Sequence, residues 1–327
     1  MPLPVASIFS AVVDDLQKVE TQLQQVADVE YPLLSALLKH VLSPVGKRIR
    51  PALVLQAAKF NIYNLDRLIP LASAVELLHM ATLVHDDMID NSATRRGVAT
   101  LNTIISSRAT ILVGDYLFAQ SAALAAKSNS IRVMEIFSRA LMRICDGELR
   151  HAFGNSDWQQ TRIEYYRKIE SKTAALFLAA VQAGAILSDA PEEQVQALGQ
   201  YGHNLGMAFQ ITDDILDFVG DERKMGKPVG SDLRQGTVTL PAIYLLESLP
   251  NDDLFRTVFG RDGDDTDREQ KIRRAIEMIV NSSAIALART EARAFANSAA
   301  DAVATLPDNE FRRSLLQLAE YVLERTS

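Results

Sequence analysis

Two clusters of three aspartates have a spacing that could bind metal. The first is Asp86, Asp87 and Asp90, and the second, 127 residues later, is Asp213, Asp214 and Asp217. Each cluster closes an apolar segment of helical periodicity, so its first and last aspartates share one helix face. Like charges one turn apart repel each other, and at a helix C-terminus they also oppose the helix dipole. The repeated pattern therefore predicts that both clusters bind cations.

The donor type predicts which cation binds and what it holds. Carboxylate oxygens, without cysteine or paired histidines, favour Mg²⁺, which commonly bridges carboxylates to substrate phosphates. Basic groups suited to phosphate lie near the clusters in the sequences Gly46-Lys47-Arg48-Ile49-Arg50, Arg95-Arg96 and Gly226-Lys227. Each basic group alone is an ordinary surface feature. Their combination with two aspartate clusters predicts a diphosphate held through metal.

The segments that carry these residues have the periodicity of helices. No proline occurs between Pro70 and Pro191. Residues 161–164 form a capping box that predicts a helix running to Leu187, and a second helix is predicted from Pro191 to about Gly220. No run of alternating β-branched residues occurs, so we expect a single all-α domain over residues 1–327. The glycines of the second helix, Gly199, Gly202 and Gly206, predict close contact between helices rather than a phosphate loop.

Composition excludes several other classes of protein. The 327 residues are 48% apolar, and the formal net charge of −7 gives no basic footprint for nucleic acid. One cysteine, Cys145, excludes an internal disulfide and a cysteine-built zinc site; we expect it to be buried and the protein to be cytoplasmic. The N-terminus has no signal-peptide pattern. The longest apolar stretch, residues 174–187, predicts no transmembrane segment.

The motifs closely resemble those of the all-trans polyprenyl diphosphate synthases, from about residue 47 to residue 241. This resemblance implies an all-α helical bundle of the isoprenoid synthase type with a central active-site cavity. It also implies head-to-tail condensation of isopentenyl diphosphate with an allylic diphosphate, three Mg²⁺ ions with substrate bound, and a homodimer. Catalysis would then need no protein nucleophile.

The resemblance also assigns roles to individual residues. Isopentenyl diphosphate would be bound by Lys47, Arg50, His79 and Arg96. The allylic diphosphate would be contacted by Arg95, Lys172, Thr173, Gln210 and Lys227. The predicted catalytic residues are Asp86, Asp90, Arg95, Lys172, Asp213 and Lys227. Thr237 stands where many members carry a further lysine, so the resemblance assigns no residue to that lysine's phosphate contact.

Product length depends on the helix that ends at the first aspartate cluster. If the diphosphate is held there, the growing tail runs back along the helix, with each five-carbon unit covering about one turn of ~5.4 Å. The first positions along that path are Thr82, Ala81 and Leu78, and no aromatic residue occurs between Arg67 and Asp90. We therefore predict a C30 to C50 product. A floor supplied from elsewhere, by Phe118, Phe137 or Met134, would instead make a farnesyl or geranylgeranyl diphosphate synthase.

Two alternatives belong to other functional classes. Glu76 and His79, and likewise Glu148 and His151, form Glu-x-x-His pairs, which are typical of di-iron carboxylate bundles. A di-iron protein would leave both aspartate clusters without a role. A catalytically inactive regulatory subunit of a heteromeric synthase would be expected to have degraded aspartate motifs, whereas both are complete. His85, beside the first cluster, is predicted either to pack or to orient a metal ligand, rather than to bind metal itself.

Overall fold

The computed structural model describes residues 5–43, 46–95, 97–153, 160–220, 228–249, 258 and 265–325. Within these ranges the α-helices are α1 (Val5–Ile8), α2 (Val13–Val26), α3 (Pro32–Val41), α4 (Ile49–Ala58), α5 (Leu65–Ile89), α6 (Leu101–Ile104), α7 (Ser107–Ala126), α8 (Ile131–Phe153), α9 (Arg162–Ile169), α10 (Ala175–Leu187), α11 (Glu192–Val219), α12 (Ser231–Arg234), α13 (Leu240–Ser248), α14 (Asp265–Asn281), α15 (Ala284–Ala302) and α16 (Glu310–Glu324). Ser10–Val12 is a 3₁₀ helix, and Glu170–Ala174 is a π-helix between α9 and α10. The predicted all-α class is confirmed.

The core is built around α5, α10 and α11. Helix α5 packs mainly against α7, α10 packs against α4 and α11, and α11 packs against α15. Helix α10 is apolar on nearly all sides and almost wholly buried, as expected for a helix surrounded by other helices. The helices that end at the two aspartate clusters are therefore central elements with little freedom to move.

Helices α9 and α10 form one continuous helical segment that begins at the predicted capping box. The Thr161 side chain accepts a hydrogen bond from the backbone N–H of Glu164, and the Glu164 carboxylate accepts one from the backbone N–H of Thr161. The segment runs through the π-helix to Leu187. The predicted start and end are thus both confirmed, whereas the π-turn was not predicted.

Two glycines allow α11 to approach α10 closely. A Cβ added at Gly202 would lie 2.8 Å from the carbonyl oxygen of Phe177, and one at Gly206 would lie 2.6 Å from the Cα of Ala174. Backbone atoms cannot move aside as a flexible side chain can, so a larger residue would force the helices apart. The predicted close helix contact is confirmed, and it holds α11 against the π-helix.

Three helices are long and apolar enough to cross a membrane by length and composition alone: Leu65–Ile89, Ser107–Ala126 and Arg162–Leu187. The sequence argument from a 14-residue apolar stretch was therefore wrong about length. In the first and third of these helices 67% of the most apolar window is buried inside the protein, and in the second 39% is buried. Much of their apolar surface is thus already used in packing helix against helix.

Cys145 is exposed, contrary to the expectation that it is buried. It lies on α8, where the neighbouring Ile144 faces the core. Successive residues on a helix point about 100° apart, so the burial of Ile144 turns Cys145 towards solvent.

Candidate active site

The first aspartate cluster lies at the C-terminus of α5. The Asn64 side chain caps the start of this helix by accepting a hydrogen bond from the backbone N–H of Asp66 at 3.0 Å. Asp90 is the C-cap residue, and its N–H donates to the carbonyl oxygen of Asp86 at 2.8 Å. Asp86 is half-buried, Asp87 is buried and Asp90 is exposed. The cluster therefore adds its charge to the negative end of a long buried helix.

Lys172 forms an ion pair with Asp86, the first aspartate of this cluster. Its Nζ lies 3.1 Å from Oδ2 of Asp86 and 2.9 Å from Oε1 of Glu148, which projects from α8. Burial raises the pKa of Asp86, Lys172 opposes that shift, and the charges of Glu148 and Asp90 add to it, so the pKa is raised overall. The single positive charge of Lys172 therefore does not fully offset the effect of burial on Asp86. A further cation nearby would favour the charged form of Asp86.

The second aspartate cluster lies near the end of α11 and is tied to the π-helix by side-chain hydrogen bonds. The Thr173 hydroxyl donates to Oε1 of Gln210 at 2.7 Å, and Nε2 of Gln210 donates to Oδ1 of Asp214 at 2.8 Å. The Tyr165 hydroxyl donates to the other carboxylate oxygen of Asp214 at 2.7 Å. Burial raises the pKa of Asp214 to about 8, Asp232 and Asp213 add to the shift, and the two hydrogen bonds oppose it.

The π-helix joins the two aspartate clusters through adjacent residues. Lys172 reaches Asp86 on α5, while Thr173 reaches α11 through Gln210. A π-turn contains an extra residue, and such turns are often found at functional sites. The structure therefore brings five predicted site residues together: Asp86, Lys172, Thr173, Gln210 and Asp214.

Asp217 is fully buried, and it connects the end of α11 to residues 230 to 232. Its Oδ2 accepts a hydrogen bond from the backbone N–H of Asp232 at 3.1 Å, and its carbonyl oxygen accepts one from Gly230 at 2.7 Å. Gly230 has φ +72°, in the left-handed region that glycine adopts without strain. The chain around residues 228–236 thus packs against the end of α11, next to the second cluster.

Asp213 pairs with a residue that the sequence analysis missed. Nη2 of Arg325, which follows α16, lies 2.7 Å from Oδ1 of Asp213 and also donates to the carbonyl oxygen of Phe209. The guanidinium lies over the Phe209 ring, 3.9 Å from its centroid, and the side chain is only 5% exposed. Nothing in the local sequence around Arg325 indicates this contact, because it depends on where α16 packs.

Arg95 lies in a short hairpin and forms an ion pair with Asp87. Strand β1 (Thr94–Arg95) pairs antiparallel with strand β2 (Val98–Ala99), and the sequence analysis did not predict this hairpin. Nε of Arg95 donates to both carboxylate oxygens of Asp87, at 2.9 and 3.0 Å, and Nη2 lies 2.7 Å from Oδ1. Both residues line a cavity of about 80 Å³ with mostly apolar walls. The predicted metal ligand Asp87 is thus engaged by the predicted diphosphate ligand Arg95.

Three of the residues assigned to isopentenyl diphosphate are described: His79 lies on α5, Arg50 lies in the first turn of α4, and Lys47 lies just before α4. The guanidinium of Arg50 stacks on the ring of Phe177, 4.8 Å from the centroid, and Nζ of Lys47 lies 5.7 Å from the centroid of Tyr321. The carbonyl oxygen of His79 accepts a hydrogen bond from the Thr82 hydroxyl at 2.7 Å. The roles of these residues stay predictions. Arg96 and Lys227 lie outside the described residues.

The positions assigned to product length face the interior. Leu78 and Ala81 are fully buried, and Thr82 is half-buried. One turn after Ala81, His85 packs on α7, with its ring 5.2 Å from the ring of Phe118 in an edge-to-face arrangement. The prediction that His85 packs is therefore confirmed. Phe118, one of the residues named for the short-product alternative, thus lies beside His85.

Both glutamates of the Glu-x-x-His pairs contact cationic side chains. Glu76 accepts a hydrogen bond from Arg48, and Glu148 contacts Lys172. Among the residues that the structure describes, no three His, Cys, Asp or Glu side chains form a group that could hold a metal ion unaided. The contacts of Glu76 and Glu148 count against a di-iron centre.

The described part of the chain is thus a helical bundle in which one π-helix contacts two aspartate clusters. Residues 31–279 match the family described as polyprenyl synthetase. The chain belongs to this family and is a prenyltransferase.

Individual relatives extend the match over the whole chain. Heptaprenyl diphosphate synthase component 2 of Geobacillus stearothermophilus is 39% identical over 323 residues, which are 99% of each chain. The crystal structure of polyprenyl synthase from Caulobacter crescentus, complexed with calcium and isoprenyl diphosphate, has a TM-score of 0.93 at 33% identity and covers 99% of this chain and 98% of that one. The crystal structure of a decaprenyl diphosphate synthase from Rhodobacter capsulatus has a TM-score of 0.89 at 36% identity and covers 99% of this chain and 100% of that one.

Proposed function

We propose that this prenyltransferase uses Mg²⁺ to condense isopentenyl diphosphate head to tail with an allylic diphosphate, and that its product is an all-trans chain of C30 to C50. The observation that carries the proposal is the pair Lys172 and Thr173. These adjacent residues contact Asp86 directly and Asp214 through Gln210. A diphosphate between the two aspartate clusters would therefore meet carboxylate-bound metal and a lysine together.

The donor set is suited to magnesium. The two clusters offer only carboxylate oxygens. Burial raises the pKa of Asp86 and Asp214, so a bound cation would favour their charged forms. The arrangement needs phosphate oxygens and water to complete a coordination shell, which is the usual habit of Mg²⁺. When bound, the metal would stabilise the negative charge of the departing diphosphate. The ligands in this proposal are Asp86, Asp87, Asp90, Asp213, Asp214 and Asp217, with three ions when substrate is bound.

The chain's own groups would assist departure of the diphosphate. Lys172 and Arg95 are now paired with Asp86 and Asp87, and in this proposal they turn to the phosphate oxygens as negative charge develops there. The resulting allylic cation would be attacked by the double bond of isopentenyl diphosphate, and one proton would pass to the released diphosphate. The buried apolar helices behind the site would keep water from the cation.

The proposed product length is supported by relatives and by local packing. Named relatives include the heptaprenyl synthase component and the decaprenyl synthase described above and an octaprenyl diphosphate synthase of Haemophilus influenzae, 33% identical over 313 residues. Position 81, one turn before the metal cluster, is an alanine, so the helix itself offers no bulky floor. Phe118 is the specific residue that would favour a shorter product if its ring blocks the tail.

We further propose a homodimer in the cytoplasm. Helices α6, α7 and α8 expose large apolar side chains that the chain itself leaves uncovered: Ile104, Ile111, Leu112, Ile131, Met142 and Leu149. Exposed large apolar side chains on neighbouring helices support an interface between subunits. A second candidate follows from the name of the Geobacillus relative, which is one component of its enzyme. This chain could accordingly be the catalytic component of a heteromeric synthase.

Release of inorganic diphosphate tests the proposal. The purified chain is mixed with isopentenyl and farnesyl diphosphates, with Mg²⁺ or with excess EDTA. We expect release that requires Mg²⁺ and both substrates, and a dephosphorylated product of C30 to C50 on reversed-phase chromatography. A product that stops at C15 or C20 would contradict the long-chain assignment. Absence of release by the chain alone, with activity restored by a partner protein from the source cell, would favour the heteromeric candidate.

A further inference from the structure

A buried ion-pair network lies directly behind the loop that carries Lys47 and leads into α4, whose first turn carries Arg50. Arg48 points away from the loop surface and into the protein, where its side chain is 9% exposed. Nη1 of Arg48 lies 2.7 Å from Oε1 of Glu76, on α5. Nη2 lies 3.2 Å from Oε2 of Glu20, on α2, and Nε donates to the other oxygen of the same carboxylate. One arginine thus links three elements of the fold.

The geometry of this network fixes the loop more firmly than a single ion pair would. Two parallel hydrogen bonds to Glu20 fix the plane of the guanidinium group, and the hydrogen bond from Nη1 to Glu76 holds the remaining edge of the group in place. Burial opposes the charge of Arg48, but the two carboxylates outweigh that effect and its pKa is raised. Arg48 is therefore held as a permanent cation in one orientation.

The backbone at Arg48 depends on being held in place. Its φ of +47° and ψ of 37° lie in the left-handed region, which is unfavourable for a residue that has a Cβ. Arg48 is also the N-cap of α4, and its carbonyl oxygen accepts the first hydrogen bond of that helix, from Ala52. This turn therefore sets the directions in which the side chains of Lys47 and Arg50 project from the backbone.

We propose that Glu20, Arg48 and Glu76 form a positioning network that sets the affinity for isopentenyl diphosphate. The network fixes the turn between Lys47 and the start of α4, which carries Arg50, to α5. On α5, Glu76 lies one turn before His79. The inference rests on the proposed function, because that function assigns those three residues to isopentenyl diphosphate. It gives Glu76 a role that the Glu-x-x-His spacing alone does not reveal.

The test is Glu20→Gln, with Glu76→Gln as a second variant. Each change keeps the shape of the side chain and removes its charge. We expect the KM for isopentenyl diphosphate to rise about tenfold, by analogy with the loss of groups that orient a ligand residue. The KM for the allylic diphosphate and kcat should change less than about twofold, because the groups that hold the other diphosphate are untouched. Glu20→Asp, which keeps the charge, should recover part of the affinity.

Asp15→Asn provides a matched control on the same helix. Asp15 is also a nearly buried carboxylate of α2, and its polar contacts among the described residues are with Lys18 at 3.0 Å, the Tyr63 hydroxyl at 2.8 Å and Lys59 at 3.7 Å. We expect this variant to lower the unfolding temperature while leaving both KM values unchanged. Such a result would separate positioning from a general loss of stability.

Calorimetric titration of isopentenyl diphosphate alone gives a second readout that needs no turnover. Binding to Glu20→Gln should be weaker by the same factor as the rise in KM. A KM for isopentenyl diphosphate within twofold of wild type in both glutamine variants would overturn the inference, as would equal rises in both KM values. If the wild-type chain turns over neither substrate, the proposed function fails instead, and the inference falls with it.

Discussion

Removal of the Lys172 ammonium group would separate its catalytic role from its structural one. Lys172→Met keeps most of the side-chain volume and leaves Asp86 and Glu148 facing each other. Because both carboxylate oxygens lie within 3.1 Å of the lost nitrogen, they are at most about 6 Å apart. Two unit charges at that distance repel by ~0.7 kcal/mol in water and by ~3 kcal/mol at the effective dielectric constant of a protein surface.

The expected loss of stability falls between the limits for exposed and buried ion pairs. Exposed pairs contribute about 0 to 1 kcal/mol, while removing one partner of a fully buried pair costs about 3 to 5 kcal/mol. The side chains of Lys172, Asp86 and Glu148 are 37%, 14% and 23% exposed, so the charges are partly screened. We expect Lys172→Met to lower the free energy of unfolding by about 1 to 3 kcal/mol in denaturant titrations.

Loss of the Lys172 ammonium group should affect catalysis more than stability, and a second change that restores stability should not restore catalysis. Loss of one cation aimed at the leaving group is expected to lower kcat about 10² to 10³-fold, as for other groups that stabilise developing charge. Adding Glu148→Gln to Lys172→Met removes the repulsion and should restore most of the stability, while kcat stays low. Recovery of kcat together with stability in the double variant would refute the catalytic role.

An exposed ion pair serves as the control for this series. Arg132 and Glu192 lie 2.7 Å apart, with side chains 49% and 55% exposed. Arg132→Met should change the free energy of unfolding by less than about 0.5 kcal/mol and leave kcat unaltered. A loss comparable to that of Lys172→Met would mean that the partly buried ion pair contributes no more to the free energy of unfolding than an exposed one.

Three further outcomes are expected. Asp86→Ala and Asp213→Ala should each abolish turnover in steady-state assays at saturating Mg²⁺, and more than a few per cent of wild-type activity in both would contradict the metal assignment. Asp213→Ala should also lower the free energy of unfolding by about 1 to 3 kcal/mol, because the buried Arg325 loses its carboxylate partner. Ala81→Phe should shorten the product towards C15 or C20 on reversed-phase chromatography, whereas an unchanged product would show that the tail does not pass this position. Leu112→Asp should dissociate the proposed dimer in light scattering, and a monomeric wild-type chain would contradict the interface.

Local signals in the sequence were sufficient to predict the central helices and the two aspartate clusters. The capping box at Thr161 and the apolar periodicity before Asp86 and Asp213 involve residues within a few turns of each other. Helix formation and the choice of buried face are decided at that range. The hairpin at Arg95 was missed because two-residue strands are too short for a periodic pattern.

The partners of the site residues could not be predicted, because they come from distant parts of the chain. The contact between Asp213 and Arg325 joins residues whose local sequences carry no common signal. Glu76 lies on α5 and Glu148 on α8, but the spacing of the Glu-x-x-His pairs cannot say which side chain lies opposite each glutamate. Packing of α4 and the π-helix brings Arg48 and Lys172 to these glutamates.

The central claim is that the two aspartate clusters support a condensation, and the stoichiometry of the reaction tests it most directly. Purified wild-type chain would be incubated with Mg²⁺, farnesyl diphosphate and radiolabelled isopentenyl diphosphate, with released diphosphate and labelled prenyl product measured in the same samples. We predict one diphosphate released for each isopentenyl unit incorporated, and neither signal from Asp86→Ala. Release of diphosphate without incorporation of label would contradict the account, because it would make the site a hydrolytic or cyclising one.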